Sequence, residues 1–254
     1  MNLQKNEAVS RDERIDEIGF GDLKLIQKPS DFCYGVDSVI LSDFAARCCK
    51  RKPANIVDLG TGTGVIPLIM SHKTDASAII GVEIQEESYR RAVRNAKLNN
   101  LEERVSFICS DVKDYSLWAE AYRGSIDMVV SNPPYFISGG GIKNHKAPMT
   151  IARHETTADL NDFMRCAAYL LKSGGEFFMV HRPSRLVDIC SYARDNKLEP
   201  KEMCFVSPNK DAIPNIVLVH FVKHGGKELK LLPPLLVYDE QGNYTQQLLA
   251  AYRD

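Results

Sequence analysis

The sequence lacks the features that would assign it at once to a membrane, secreted or metal-binding class. It has no run of about eighteen apolar residues, so no transmembrane helix is predicted, and its polar start lacks the apolar stretch of a signal peptide. None of the seven cysteines forms a Cys-x-x-Cys pair, and the histidines have no metal-ligand spacing. We therefore expect a cytoplasmic protein with reduced thiols and no bound metal.

An excess of charge of one sign is also missing. The 254 residues carry a formal net charge of −1, so contact with a nucleic acid would have to come from a local basic patch. Hydrophobic residues make up 44% of the chain, which is enough for one compact core. We predict a single domain over residues 1–254, with an N-terminal extension over about residues 1–50 and a flexible loop over about 138–153.

Apolar strands alternate with helical segments along most of the chain. Strands are predicted at residues 55–59, 77–84, 105–111, 126–130 and 174–181, and a closing pair at 201–206 and 215–223. Helices are predicted at residues 36–49, 65–72, 86–99, 159–171 and 184–196. A short hairpin is expected at 19–28, after a segment at 1–17 that is either disordered or an irregular helix. This order predicts an α/β fold with a mostly parallel sheet.

A glycine-rich turn follows the first of these strands. Gly60, Gly62 and Gly64 allow the backbone to approach a ligand closely, and the helix behind them presents free N–H groups. The spacing Gly-x-Gly-x-Gly differs from the dinucleotide pattern Gly-x-Gly-x-x-Gly, because position 65 is Val. Asp58 also precedes the turn and suits a positively charged amine better than a diphosphate. S-adenosylmethionine (SAM) is therefore favoured over a nicotinamide or flavin cofactor.

Carboxylates end the next two predicted strands. Glu83 follows Gly64 by nineteen residues, where an acid can accept from the hydroxyls of a ribose. Asp111 ends the third strand and can accept from the exocyclic amine of adenine. Each acid alone has an alternative role as a helix N-cap. Ligands of open α/β sheets lie across the carboxyl ends of the strands, and the ordered series of acids is what indicates a cofactor site.

Residues 131–135, Ser-Asn-Pro-Pro-Tyr, close the fourth predicted strand. The side-chain carbonyl of Asn132 and the backbone carbonyl of Pro133 can accept both hydrogens of a planar amine. Pro134 helps to fix the chain beyond the strand end, and the ring of Tyr135 offers a stacking face. The tetrapeptide taken alone is also compatible with an ordinary turn.

Taken together, these motifs resemble the class I SAM-dependent methyltransferases, in the amino-methylating branch that carries Asn-Pro-Pro-Tyr. Three flanking segments, at residues 32–45, 153–156 and 238–244, resemble the bacterial tRNA(Val) adenine-N6 methyltransferase family, over about residues 18–252. The resemblance implies a Rossmann-like fold with a mostly parallel seven-stranded sheet and helices on both faces. It also implies SAM as cofactor and tRNA as partner, with methylation of the purine next to the anticodon.

The resemblance and the motifs give the following expected site residues. The expected cofactor residues are Tyr34, Asp37, Ser38, Asp58, Gly60, Thr61, Gly62, Gly64, Glu83, Ile84, Asp111, Val112 and Asn132. The expected catalytic residues are Asn132, Pro133, Pro134 and Tyr135. The expected substrate residues are Tyr135, Phe136, Lys143, Lys146 and Arg153. Asp37 and Ser38 have the alternative role of capping the helix that follows them. The basic, glycine-containing loop at 138–152 is either a lid or RNA clamp, or a solvated connection.

Other acceptors remain compatible with the motifs. The amide nitrogen of a protein glutamine poses the same chemical problem as an adenine amine, so a protein glutamine N5-methyltransferase is the nearest rival. Guanine-N2 methylation of ribosomal RNA and adenine methylation of DNA are further alternatives. A SAM-binding RNA chaperone without turnover is disfavoured by the intact Asn132–Tyr135 set, and an oxidoreductase by the glycine spacing.

Overall fold

A two-stranded hairpin opens the part of the chain that the structure describes. The structure, a computed structural model, describes residues 9–31, 34–135 and 158–253. Strands β1 (Arg14–Glu17) and β2 (Lys24–Gln27) pair antiparallel. The predicted hairpin therefore begins earlier than expected, and residues 14–17 are a strand rather than irregular chain. The reason is that Ile15 and Asp16 pair with Ile26 and Leu25 across the hairpin, a pairing that the charged composition of this segment hides.

The main sheet has nine strands among the described residues. They are β3 (Asn55–Leu59), β4 (Ala78–Glu83), β5 (Val105–Cys109), β6 (Ile126–Ser131), β7 (Leu171–His181), β8 (Leu198–Ser207), β9 (Ile216–Lys223), β10 (Lys230–Leu231) and β11 (Leu235–Leu236). Their order is β10-β8-β9-β7-β6-β3-β4-β5, and β11 also pairs with β8. Only β9 runs antiparallel to its neighbours within this described sheet.

The expected count of seven strands corresponds to β3–β9, and it is wrong by two. Strands β10 and β11 have two residues each and flank Pro233 and Pro234. Such short pieces show no alternation of apolar and polar residues, so sequence reasoning had no signal for them.

Helices cover both faces of the sheet. They are α1 (Val36–Cys48), α2 (Val65–Lys73), α3 (Glu86–Leu98), α4 (Tyr115–Trp118), α5 (Leu160–Leu170), α6 (Leu186–Asp195) and α7 (Gln246–Ala251). Alternate strand residues enter two cores: Ile56 packs with α1 and α2, whereas Val57 packs with α5 and α6. This period of two is what a sheet buried on both faces requires. No helix in the described ranges is long and apolar enough to cross a membrane.

A buried amide on α3 fastens the hairpin to the main domain. Asn95 is fully buried, and its Oδ1 accepts from the Ile26 N–H at 2.6 Å while its Nδ2 donates to the Ile26 carbonyl at 3.3 Å. The same Nδ2 donates to the carbonyl of Thr63 in the glycine turn at 2.9 Å. The Asn95 side chain thus pairs with β2 as a neighbouring strand would, and it also fixes the glycine turn.

Candidate active site

Four of the predicted site residues lie at one edge of the sheet. Strands β3, β4, β5 and β6 are parallel, so their carboxyl ends meet there. Asp58 is the penultimate residue of β3, and Glu83 is the last residue of β4. Asp111 follows β5, and Asn132 follows β6. This is the edge at which open α/β sheets bind ligands.

The glycine turn joins β3 to α2 in a conformation that requires glycine. Gly64 has φ of +82°, and an added Cβ would lie 2.8 Å from the Phe107 ring. Gly62 has φ of +57°, and an added Cβ would meet nothing within 4 Å. Gly64 is therefore needed for packing on β5, whereas Gly62 leaves open space beside the backbone for a ligand.

Asp58 is completely buried. Among the described residues, neither of its carboxylate oxygens has a hydrogen-bond partner, and the same holds for the Thr61 hydroxyl. Burial raises the pKa of Asp58 to about 7; the nearby Thr61 hydroxyl opposes this, although its geometry is not that of a hydrogen bond, and the Glu83 charge adds to it. A buried carboxylate without a partner is costly, so this group is suited to a cationic ligand.

Glu83 braces the glycine turn from the neighbouring strand. Its Oε2 accepts from the Gly62 N–H at 2.9 Å, and its Oε1 accepts from the Gln85 N–H at 2.8 Å. Burial raises the pKa of Glu83, and the backbone N–H groups of Gln85, Gly62 and Ile84 partly oppose that rise. Each carboxylate oxygen can accept more than one hydrogen bond, so Glu83 can hold the turn and still accept from ribose hydroxyls.

Asp111 makes the contact that the N-cap alternative requires. Its Oδ1 accepts from the Lys113 N–H at 2.9 Å and caps a short 3₁₀ turn at Val112–Asp114. Val112 is buried in the core beside α5, while Ile84 at the end of β4 is 52% exposed. Ile84 is thus an apolar surface available at the site edge. The adenine contacts predicted for these residues stay predictions.

Asn132 lies directly after β6, which is fixed to β3 at its end. The Ser131 hydroxyl donates to the Leu59 carbonyl at 2.7 Å. The Asn132 Oδ1 then lies 3.1 Å from the hydroxyl of Tyr135. The side-chain oxygen of Asn132 therefore lies beside the Tyr135 hydroxyl, just beyond the end of β6 that Ser131 fixes to β3.

Tyr135 connects this motif to the start of α1. Its hydroxyl donates to Asp37 Oδ2 at 2.9 Å. Burial raises the pKa of the Tyr135 hydroxyl, and the Asp37 carboxylate raises it further. The hydroxyl is therefore a proton donor and not a base at neutral pH.

The alternative in which Asp37 or Ser38 caps α1 is wrong. Helix α1 begins at Val36, its N-cap is Gly35, and no side chain caps it. Asp37 lies in the first turn and bonds Tyr135 instead. Ser38 is buried, and the backbone N–H of Tyr34 donates to Gln27 Oε1 at 3.0 Å. The cofactor roles predicted for these residues remain predictions.

Two residues that sequence reasoning missed surround the Tyr135 ring. The Arg182 guanidinium carbon lies 4.8 Å from the ring centroid, and the His181 ring packs edge-on with centroids 5.1 Å apart. Burial lowers the pKa of His181, so that ring is neutral. His181 ends β7, the strand beside β6, and Arg182 directly follows it. The available signal was this position, at the carboxyl end of a predicted strand.

Several predicted substrate residues lie outside the described residues. They are Phe136, Lys143, Lys146 and Arg153. The same applies to the predicted flexible loop at 138–153.

The strand order, the single antiparallel strand β9, and a ligand edge formed by the glycine turn, Glu83 and Asn132 define a class I SAM-dependent methyltransferase. The chain belongs to the family described as methyltransferase small domain, whose model matches residues 23–187. The predicted family, fold class and cofactor are thereby confirmed.

Relatives and solved structures agree with this assignment. A tRNA1(Val) (adenine(37)-N6)-methyltransferase of Mannheimia succiniciproducens is 28% identical over 87% of this chain and 86% of the relative. One of Porphyromonas gingivalis is 30% identical over 65% and 64%. A predicted O-methyltransferase of Agrobacterium tumefaciens has a TM-score of 0.68 at 18% identity, covering 85% of this chain and 95% of the other. TYW2 of Pyrococcus horikoshii, solved in complex with MeSAdo, has a TM-score of 0.59 at 14% identity, covering 85% and 73%.

The residues present fit SAM. The buried carboxylate of Asp58, which has no hydrogen-bond partner within the described ranges, suits its positively charged amine. Glu83 offers a held acceptor for ribose hydroxyls, and the space beside Gly62 accommodates a ligand near the backbone.

Proposed function

We propose that this protein methylates the exocyclic N6 amine of an adenine in tRNA, at the position next to the anticodon of tRNA(Val). The observation that carries the proposal is the Asn132 side-chain oxygen, which lies at the carboxyl end of β6 beside a tyrosine whose hydroxyl is bound by Asp37. An acceptor and an aromatic ring are thus placed together at the edge that holds the glycine turn.

An adenine amine is a poor nucleophile because its lone pair is delocalised into the ring. We propose that Asn132 Oδ1 and the Pro133 carbonyl accept its two hydrogens and favour a pyramidal nitrogen. Tyr135 would hold the base by stacking. When bound, SAM supplies an activated methyl group. The protein then acts by orientation and electrostatics, and no strong general base is needed.

Among the described residues, the Tyr135 ring has one cationic neighbour. Arg182 lies over it at 4.8 Å, and an adenine on the opposite face would complete a stack of base, phenol and guanidinium. His181 packs against the ring from the side. These contacts fix the orientation of the Tyr135 ring before the substrate binds.

The choice of tRNA over a protein amide is supported by the relatives, because those of Mannheimia and Porphyromonas are named for adenine in tRNA. A paired or stacked base must leave the RNA stack to enter such a site. We propose that Phe136, Lys143, Lys146 and Arg153 contribute to RNA binding. We also propose that the protein acts in the cytoplasm, where its substrate is found.

The test is transfer of a labelled methyl group from SAM to unmodified bulk tRNA, followed by nucleoside analysis. We expect the label in N6-methyladenosine. Label in a protein glutamine, in guanosine, or in no acceptor at all would contradict the proposal. Nucleosides of tRNA from cells lacking the protein should show the matching loss of N6-methyladenosine.

A further inference from the structure

A basic pocket lies far from the candidate active site, between α5, α6 and the end of β9. Its volume is about 450 Å³, and its lining includes Tyr115, Arg165, Tyr169, Lys197, Lys223 and His224. We call it the α5–α6 pocket. Because β9 is antiparallel to β7, Lys223 lies at the sheet edge opposite to Asn132. With about 3.3 Å per strand residue, that places the pocket roughly 20–25 Å from the site edge.

Within the part of the chain that the structure describes, the pocket contains both paired and unpaired cations. The Arg165 guanidinium lies 3.9 Å from the Asp162 carboxylate, and the Tyr169 hydroxyl donates to Glu120. Among the described lining residues Asp195 is the only acid, and neither Lys197 nor Lys223 forms an ion pair within the described ranges. Lys223 Nζ donates to the Leu171 carbonyl at 2.7 Å, which uses one of its three hydrogens. Burial lowers the pKa of Lys223, and the nearby Lys197 and Arg123 charges lower it further. An anion entering the pocket would relieve this repulsion.

The backbone that places these side chains is strained. Lys197 has φ of +61° and His224 has φ of +57°, and the His224 N–H donates to the Lys197 carbonyl at 2.8 Å. Lys197 follows Asn196, the C-cap of α6. Glycine is the residue usually found in the left-handed conformation at this point of a helix. Keeping a lysine there costs conformational free energy, which points to use of its side chain.

The aromatic wall of the pocket is preformed. The Tyr115 and Tyr169 rings lie 4.8 Å apart with an interplanar angle of 49°, and the Arg123 guanidinium carbon lies 5.2 Å from the Tyr169 ring centroid. Cationic side chains that contact the phosphate backbone, beside aromatic rings on which bases stack, are a combination found in proteins that bind nucleic acids.

We propose that the α5–α6 pocket binds a phosphate of the substrate RNA backbone at a point distant from the methylated nucleotide. This inference rests on the proposed function, since it assumes an RNA substrate. Its consequence is that the pocket contributes to RNA affinity and not to the methyl-transfer step.

Lys197→Gly is the decisive variant, because it removes the cation while relieving the backbone strain. We expect its melting temperature to equal or exceed that of the parent. The KM for unmodified tRNA should rise roughly three- to tenfold with kcat unchanged. The slope of log affinity against log salt concentration should become shallower by about 0.7–0.9, because one phosphate contact is lost.

Two controls match this change. Asn100→Gly replaces another left-handed residue directly after a helix, since Asn100 has φ of +55° and follows the α3 C-cap. Lys97→Ala removes an exposed lysine on α3, at the other side of the sheet. Both should leave the KM for tRNA and its salt dependence unchanged.

An unchanged KM and salt slope in Lys197→Gly, with a parent that methylates tRNA, would overturn the pocket proposal alone. If inorganic phosphate binds the parent but not Lys197→Gly in calorimetry, while the KM for tRNA is unaltered, the pocket takes a free phosphorylated ligand and the RNA proposal is wrong. A parent that methylates no RNA would instead refute the proposed function.

Discussion

The Tyr135 hydroxyl lies 2.9 Å from the Asp37 carboxylate, although the two residues are 98 positions apart in the chain. The same hydroxyl lies 3.1 Å from Asn132 Oδ1. A phenol has one hydrogen to donate, and a charged acceptor is preferred over a neutral one. Asp37 therefore draws that hydrogen away from Asn132 and leaves the Asn132 oxygen available to an incoming amine.

We expect Asp37→Ala to lower kcat about tenfold, equivalent to about 1.4 kcal/mol in the barrier. The released hydroxyl would donate to Asn132 and occupy its oxygen. Tyr135→Phe should keep most of the activity, because the ring remains. The double variant should recover towards the activity of Tyr135→Phe; a double variant slower than Asp37→Ala would show that this account is wrong. SAM affinity measured in parallel distinguishes an effect on cofactor binding from an effect on methyl transfer.

Asn132→Ala should leave SAM affinity almost unchanged while methyl transfer falls sharply. The side-chain oxygen matters most as the attacking nitrogen gains positive charge, so its loss acts mainly on the transition state. A cost on the order of 3 kcal/mol corresponds to about a hundredfold in rate. Single-turnover transfer to tRNA measures this, and an Asn132→Ala enzyme as fast as its parent would rule out the catalytic assignment.

Glu83→Ala should weaken SAM binding by roughly 1.5–3 kcal/mol, since hydrogen bonds to a charged acceptor are lost. The matched control is Glu86→Ala, which removes an exposed acid that bonds only Arg90 among the described residues. Calorimetry should show that the SAM affinity of Glu86→Ala equals that of the parent. Neither variant should bind NAD. Equal SAM affinities in the two variants would exclude Glu83 from the ribose site.

Asp58→Asn should stabilise the ligand-free protein at alkaline pH. In the folded protein the pKa of Asp58 is about 7 instead of the ordinary 3.8, so the folded state holds a proton that the unfolded state has released. The contribution of Asp58 to the free energy of unfolding is fully present below about pH 4 and is lost as the pH rises through about 7. The loss is on the order of 4 kcal/mol.

The melting temperatures of parent and Asp58→Asn should therefore be alike at pH 4 and diverge by pH 8, with the variant higher. SAM affinity should change in the opposite direction, because the variant cannot pair with a cationic amine. A variant that gains no stability at pH 8 would contradict the pKa assigned to Asp58.

The sequence predicted those parts of the site that depend on local patterns. The acids and Asn132 follow apolar strands, and parallel strands bring their ends together, so Glu83 and Asn132 share one edge as expected. The pairing of Tyr135 with Asp37, and the position of Arg182 over the ring, depend on how α1 and β7 pack. No periodicity encodes contacts between such distant residues, so these partners could only come from the structure.

The Asn95 amide helps to set the width of the candidate active site. One side chain binds both Ile26 of the hairpin and Thr63 of the glycine turn, and the hairpin leads into the helix that carries Asp37. Asn95 therefore acts as a spacer between two walls of the site. Aspartate would turn a carboxylate towards two carbonyl oxygens, and glutamine would be one methylene too long. The dimensions of a site at one end of the sheet are thus held by the amide of a residue that is not among the predicted site residues.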